Sequence, residues 1–284
     1  MRALGIDVGV RKGLDLVVLD GSPEPAATHR GVRLEDLRGL IGESGADVVA
    51  IDSPPAWAGG GRSRGTEREI RLFGIQSYGT PTEDRGLEHP FYEWMRIGFE
   101  VFRIAQRAGF PRYRGGPAGG TAIEVFPHAS AVVLAGCLPP RGTRKATWRA
   151  SVLRAGGVDV GGLRSLDQID AALAALTGLR ALAGRSCALG DPREGVIVLP
   201  ARTLPARPFR RCPDEAIETR RQPHLPRMSP CACGDPACDR LTSREFAPGH
   251  DARRKSMLWS LAREGQGAVD ELRRRGWELP PEMR

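Results

Sequence analysis

At 284 residues and 40% hydrophobic content, the chain is long enough for one sizeable core and a smaller appendage. No apolar run reaches the ~18–20 residues of a membrane span. The opening MRALGIDVGV lacks the charged-then-apolar order of a signal peptide, so the expectation is a cytoplasmic protein with no membrane partner. A formal charge of +8 admits nucleic acid as a partner. Charge alone does not decide it. Lysine occurs only at Lys12, Lys145 and Lys255, and the arginine that carries the excess is also what a GC-rich genome produces.

Apolar runs at 3–8 and 14–19, separated by a glycine-bounded turn, predict a hairpin. Leu34, Leu37, Leu40 and Ile41 recur at helical spacing within 33–43. The run 47–51, ending at Asp52 before Ser53-Pro54-Pro55, has the composition of a buried central strand. A Gly-, Arg- and Pro-rich stretch at 56–90 holds a helix around 66–73. An amphipathic helix is predicted over 91–108, then a strand over 121–126 stopped by Pro127. Helices follow at about 128–135, 144–155 and 165–183, the last built of strong helix formers, and a final strand at 195–199. Six prolines and seven arginines within 200–229 predict a linker or extended arm. Three domains follow: an α/β domain over 1–200, the arm over 201–229, and a cysteine-rich segment with a C-terminal helix (252–275) over 230–284.

Acidic residues stand inside the apolar runs. Asp7 is flanked by Ile6 and Val8, Asp52 ends its strand, and Glu124 lies within TAIEVF. Asp167 and Asp170, at i and i+3, share one helix face. A charge in an apolar strand is costly unless satisfied. One cluster around Mg²⁺ or Mn²⁺ accounts for all of them, because hard cations take oxygen ligands. Taken singly, each has a blander role: Asp7 in a turn, Asp52 capping a loop, Glu124 facing solvent, Asp167 at a helix start.

The segments GIDVGVRKGLDLVVLD, VVAIDSPPAW, RSRGTEREIR with GTPTE, EVFPHAS and LDQIDAALAALTGL, in that order across about residues 1–200, resemble the family of predicted nucleases catalogued as domain of unknown function 429. More distantly they resemble the Holliday-junction resolvases, which share the ribonuclease-H-like fold. The resemblance implies a ribonuclease-H-like mixed sheet with its first three strands antiparallel and helices on both faces. It places acidic residues on the first strand, the fourth strand and a late helix. It makes Asp7, Asp52 and Asp170 the firmest Mg²⁺ or Mn²⁺ ligands, with Asp167 and Glu124 completing a catalytic set. It also implies a phosphate-binding role for Lys12 and for Arg64, Arg68 and Arg71 on the helix that carries Glu67. A solvated helix face with internal ion pairs explains those arginines equally well. His128, one turn after Glu124, reads as an ordinary polar contact rather than a proton carrier.

Cys137, Cys187 and Cys212 are scattered, whereas Cys231, Cys233 and Cys238 cluster, with His250 twelve residues further on. In a reducing compartment such clustering favours metal over disulfides. Three thiolates and an imidazole make a Cys₃His set for Zn²⁺ in a zinc-knuckle-like segment, with Cys212 as a substitute ligand. The basic C-terminal helix would then grip a nucleic-acid backbone or dock on a protein.

The leading expectation is a divalent-metal-dependent nuclease hydrolysing phosphodiester bonds of DNA or RNA, in which paired metal ions activate water and stabilise the leaving oxygen. One alternative is a non-catalytic nucleic-acid- or protein-binding module. Another is an actin-like phosphotransferase, to which Asp7-Val8-Gly9 and Lys12 conform in part. That fold needs two such domains, and this chain is short for it. Resemblance to junction resolvases allows a dimer, though no interface is legible.

Overall fold

The computed structural model describes residues 1–213, 229–230, 241–242, 250–262 and 266–280, in two compact units, Met1–Ile217 and Glu218–Arg284.

The first unit is built on a seven-stranded sheet: β1 (Ala3–Val8), β2 (Leu14–Leu19), β3 (Ala27–Val32), β4 (Val48–Asp52), β5 (Ala122–Val125), β6 (Cys187–Leu189) and β7 (Ile197–Leu199). Its order is β3-β2-β1-β4-β5-β7-β6. The first three strands are antiparallel, β4, β5 and β7 run parallel to β1, and β6 returns antiparallel. This is the mixed sheet that the resemblance implied. Helices cover both faces, which is why the central strands read as unbroken apolar runs.

Side-chain parity sorts the core into two layers. Ala3, Val48, Ala50, Ile123 and Val125 pack towards α5 (Pro127–Ala135), α6 (Lys145–Ala155) and α7 (Leu166–Leu182). Leu4, Ile6, Val49, Ile51 and Ala122 pack towards α1 (Leu34–Glu43) and α4 (Glu93–Arg107). Between β4 and α4 lie α2 (Gly65–Leu72), α3 (Glu83–Glu88) and a 3₁₀ turn at Pro90–Tyr92.

Strands β3 and β6 are absent from the periodicity reading. β3 (ATHRGV) is largely exposed along its length and β6 has only three residues, so neither leaves an apolar signature. The start of the expected arm is also packed rather than extended. Phe209 N donates to Phe73 O at 3.0 Å, Cys212 N donates to Leu138 O at 2.8 Å, and Cys212 is joined to Cys137 by a disulfide. Two thiols read as scattered are thus paired, and Cys212 is not available to a metal. Cys187 is free and half-buried.

In the second unit β8 (Ser229–Pro230) pairs antiparallel with β9 (Leu241–Thr242). Helices α8 (His250–Ala262) and α9 (Gln266–Arg274) stand where one continuous helix was expected. Gly265 and Gly267 disfavour a single run. Leu258, Ala262, Val269 and Leu272 form a small core between them, and Glu271 binds Arg254 at 2.8 Å and Arg275 at 3.0 Å. Cys231, Cys233 and Cys238 lie outside the described residues, as does the side chain of His250. No helix among the described residues is long and apolar enough to cross a membrane.

Candidate metal centre

Parallel pairing of β1 with β4 sets Asp7 directly beside Asp52. Both follow small residues on the α7 side of the sheet: Ala3 and Gly5 precede Asp7, and Val48 and Ala50 precede Asp52. Helix α7 approaches this strip closely because Gly5 has no side chain. A Cβ there would lie 1.9 Å from Ala171 O and 2.5 Å from Ala175 N. Gly178, two turns further along α7, allows the same approach over Ala3 and Val48, whose side chains would lie 3.0 Å from an added Cβ. The contact delivers Asp170, one residue before Ala171, onto the strand carboxylates. Asp7, Asp52 and Asp170 each offer an oxygen, and these lie within 4.8 Å of one another.

The N-terminus of α7 is pinned from below. Ser165 Oγ accepts the amide of Gln168 at 3.0 Å and donates to Asp15 Oδ2 at 3.0 Å, while Asp15 Oδ1 accepts Gly31 N at 3.1 Å. Asp15 sits on β2 opposite Asp7 and is buried. It was missed, although an acid inside LDLVVL gives the same signal that singled out Asp7.

The electrostatics of the cluster are unbalanced. Arg149 of α6, also missed, is buried and hydrogen-bonds Asp170 Oδ2. Among the described residues, Asp170 Oδ1 and Arg149 Nε have no hydrogen-bond partner. Burial, followed by the charges of Asp52, Asp170, Asp167 and Asp15, pushes Asp7 up to about 9. Burial, then Asp170, pushes Asp52 up to about 8 against the pull of Arg149. Burial raises Asp170 to about 6, with Arg149 again opposing. Such shifts mean that the side chains alone do not supply the positive charge the site needs. Three converging carboxylates, one with a buried lone oxygen, fit a hard divalent cation.

The other expected site residues are placed as follows. Asp167 is at the rim, 3.3 Å from Lys12 Nζ, and Lys12 is largely exposed. Glu124 does not join the triad. It pairs with Ile51 in the ladder and therefore points to the α4 side of the sheet, away from Asp7 and Asp52. There it is buried and chelated by Arg64, whose Nη1 donates to Glu124 Oε2 at 2.8 Å and whose Nη2 donates to Oε1. Arg64 also donates from Nε to Glu67 Oε1 at 3.0 Å. Only 1% exposed, Arg64 has no surface to offer a phosphate, which corrects the role the resemblance implied for it. Glu67 is satisfied in turn by Arg64 N at 2.8 Å, Thr80 N at 3.0 Å and the Thr80 hydroxyl. Arg71 donates to Ser77 O at 3.1 Å and so braces the following loop; Arg68 is exposed and holds Ser63 O. His128 is held near pKa 4 by burial and by the charges of Arg149 and Lys145, so it is neutral at physiological pH.

A pocket of about 270 Å³ opens at the carboxyl ends of β1, β4 and β5, beside Ile197 at the start of β7. Its lining includes Asp52, the Arg64–Glu67–Glu124 network, and the aromatic side chains of Tyr78, Phe91, Trp94 and Phe126.

The family model described as "Protein of unknown function (DUF429)" matches residues 5–194, a span that contains the whole acidic site. No curated protein matches the chain. Among solved structures, the chain is similar to RuvC of Thermus thermophilus, with 16% identity over 62% of this chain and 92% of that one and a TM-score of 0.34.

Proposed function

We propose, from the premise that this chain belongs to the DUF429 family, that it is a divalent-metal-dependent nuclease acting on phosphodiester bonds of DNA or RNA. The observation that carries the reading is the convergence of Asp7, Asp52 and Asp170 from three separate elements, with more negative charge than Arg149 balances. In this reading the three carboxylates hold Mg²⁺ or Mn²⁺. Such a cation polarises a phosphoryl oxygen and acidifies water.

The chain's own residues complete the arrangement. Arg149 acts as a positioning residue, fixing Asp170 through one oxygen and leaving the other free. Lys12 and Asp167 form the rim, where Lys12 meets an incoming phosphate once it leaves Asp167. Arg68, exposed on α2, is a second phosphate contact. Zinc at Cys231, Cys233, Cys238 and His250 belongs to the same proposal on the ligand spacing alone.

A nuclease screen with added Mn²⁺ or Mg²⁺ over single-stranded, duplex, branched and hybrid substrates tests the reading. Asp7→Asn and Asp170→Asn should each lower cleavage by at least about a hundredfold while the fold persists. Cleavage that survives both changes would overturn it.

A further inference from the structure

The pocket beside the triad has a chemistry that a metal-holding role does not call for. Tyr78 is 70% exposed and Phe91 45% exposed, and their rings meet edge to face at 5.3 Å. Trp94 and Phe126 lie further in, and Met95 is buried behind them. Large rings left open to water at one mouth mark a binding surface. At the same pocket the buried Ser77 Oγ has no hydrogen-bond partner among the described residues. Below it lies a layer of guanidinium and carboxylate groups fixed by mutual bonds. Aromatic faces with a lone hydroxyl and a rigid polar floor suit a flat, heteroatom-edged ring system. Asp52 lines the pocket and belongs to the triad, so an occupant is within reach of the reacting phosphate.

We infer that this pocket holds an unstacked nucleobase, which makes the substrate a nucleic acid with unpaired nucleotides rather than a continuous duplex. The inference rests on the nuclease reading and adds the substrate class to it. In a duplex both faces of every base are already covered, so the rings of Tyr78 and Phe91 would have nothing to stack on. In a single strand or an unpaired segment each base presents a face, whatever its identity.

The experiment compares three 12-residue ligands on the full chain by fluorescence anisotropy in Ca²⁺: a single strand, the same backbone without bases, and a duplex. The wild-type protein should bind the base-bearing strand about tenfold or more tightly than the abasic strand or the duplex. Tyr78→Ala with Phe91→Ala should abolish that preference. Phe91→Trp, which keeps a stacking face, should retain it, and both positions are exposed enough for replacement without loss of core. Equal affinity for base-bearing and abasic strands in the wild type, or a preference for duplex, would sink the proposal. Mn²⁺-dependent hydrolysis of bis(p-nitrophenyl) phosphate, a diester without a base, reports on the triad separately. Base preference without that hydrolysis would leave the pocket standing and remove the nuclease reading. Hydrolysis without base preference would do the reverse.

Discussion

Two buried networks of ionisable side chains flank the central strands, and they differ in one respect. On the α4 side, Arg64, Glu67, Glu124 and Thr80 satisfy one another. On the α7 side, Asp7, Asp52 and Asp170 converge on one guanidinium, and among the described residues one carboxylate oxygen has no hydrogen-bond partner. A closed network is scaffold: its charges are spent on one another, so it can line a pocket but does not call for an ion. An open network, held together at a cost, is where a missing charge belongs.

The largest effect that tests this contrast is on the closed side. Arg64→Met removes the guanidinium that hydrogen-bonds Glu67 and Glu124, leaving only the charge of Arg112 near Glu124, and should cost about 3–5 kcal/mol in denaturant unfolding. A cost near zero would mean that the pair contributes nothing to the fold.

The open side should respond to pH in the opposite sense from an ordinary carboxylate. The folded-state values of about 6, 8 and 9 all lie above the unfolded ~3.9. Their contribution is therefore fully present below about pH 4 and is lost progressively as pH rises from about 4 through about 6, 8 and 9. The metal-free melting temperature should fall by a few degrees across that window, and saturating Mn²⁺ should flatten the slope with release of protons. A metal-free melting temperature that rises with pH would contradict this account of the triad.

The smallest effect concerns the seat of α7. Ser165→Ala removes the helix cap and the bond to Asp15 and should cost about 1 kcal/mol. It should also weaken Mn²⁺ binding, because Asp170 rides on the same first turns. Unchanged affinity would show that the Gly5 contact alone positions α7.

How much of this was legible in the sequence follows from what each signal measures. A charged residue in an apolar run reports burial, and it pointed to Asp7, Asp52 and Glu124 alike. It does not report which face the residue takes, and one step of register in β5 separates Glu124 from the other two. Asp15 carried the same signal in a different service, holding the start of α7. Arg149 was invisible because an arginine on a helix reads as surface until its partner is known. The sheet's central strands and α7 were readable from composition. The pocket was not, since Tyr78, Phe91, Trp94 and Phe126 are brought together only by the turns between β4 and α4 and by the end of β5.

The glycine beneath α7 has one more consequence. Because main chain rests on main chain there, the opening between the strand acids and the helix acid is gauged by backbone thickness, not by rotamers that could relax. Even alanine's methyl group at position 5 would wedge the helix off the strands and carry Asp170 away from Asp7 and Asp52.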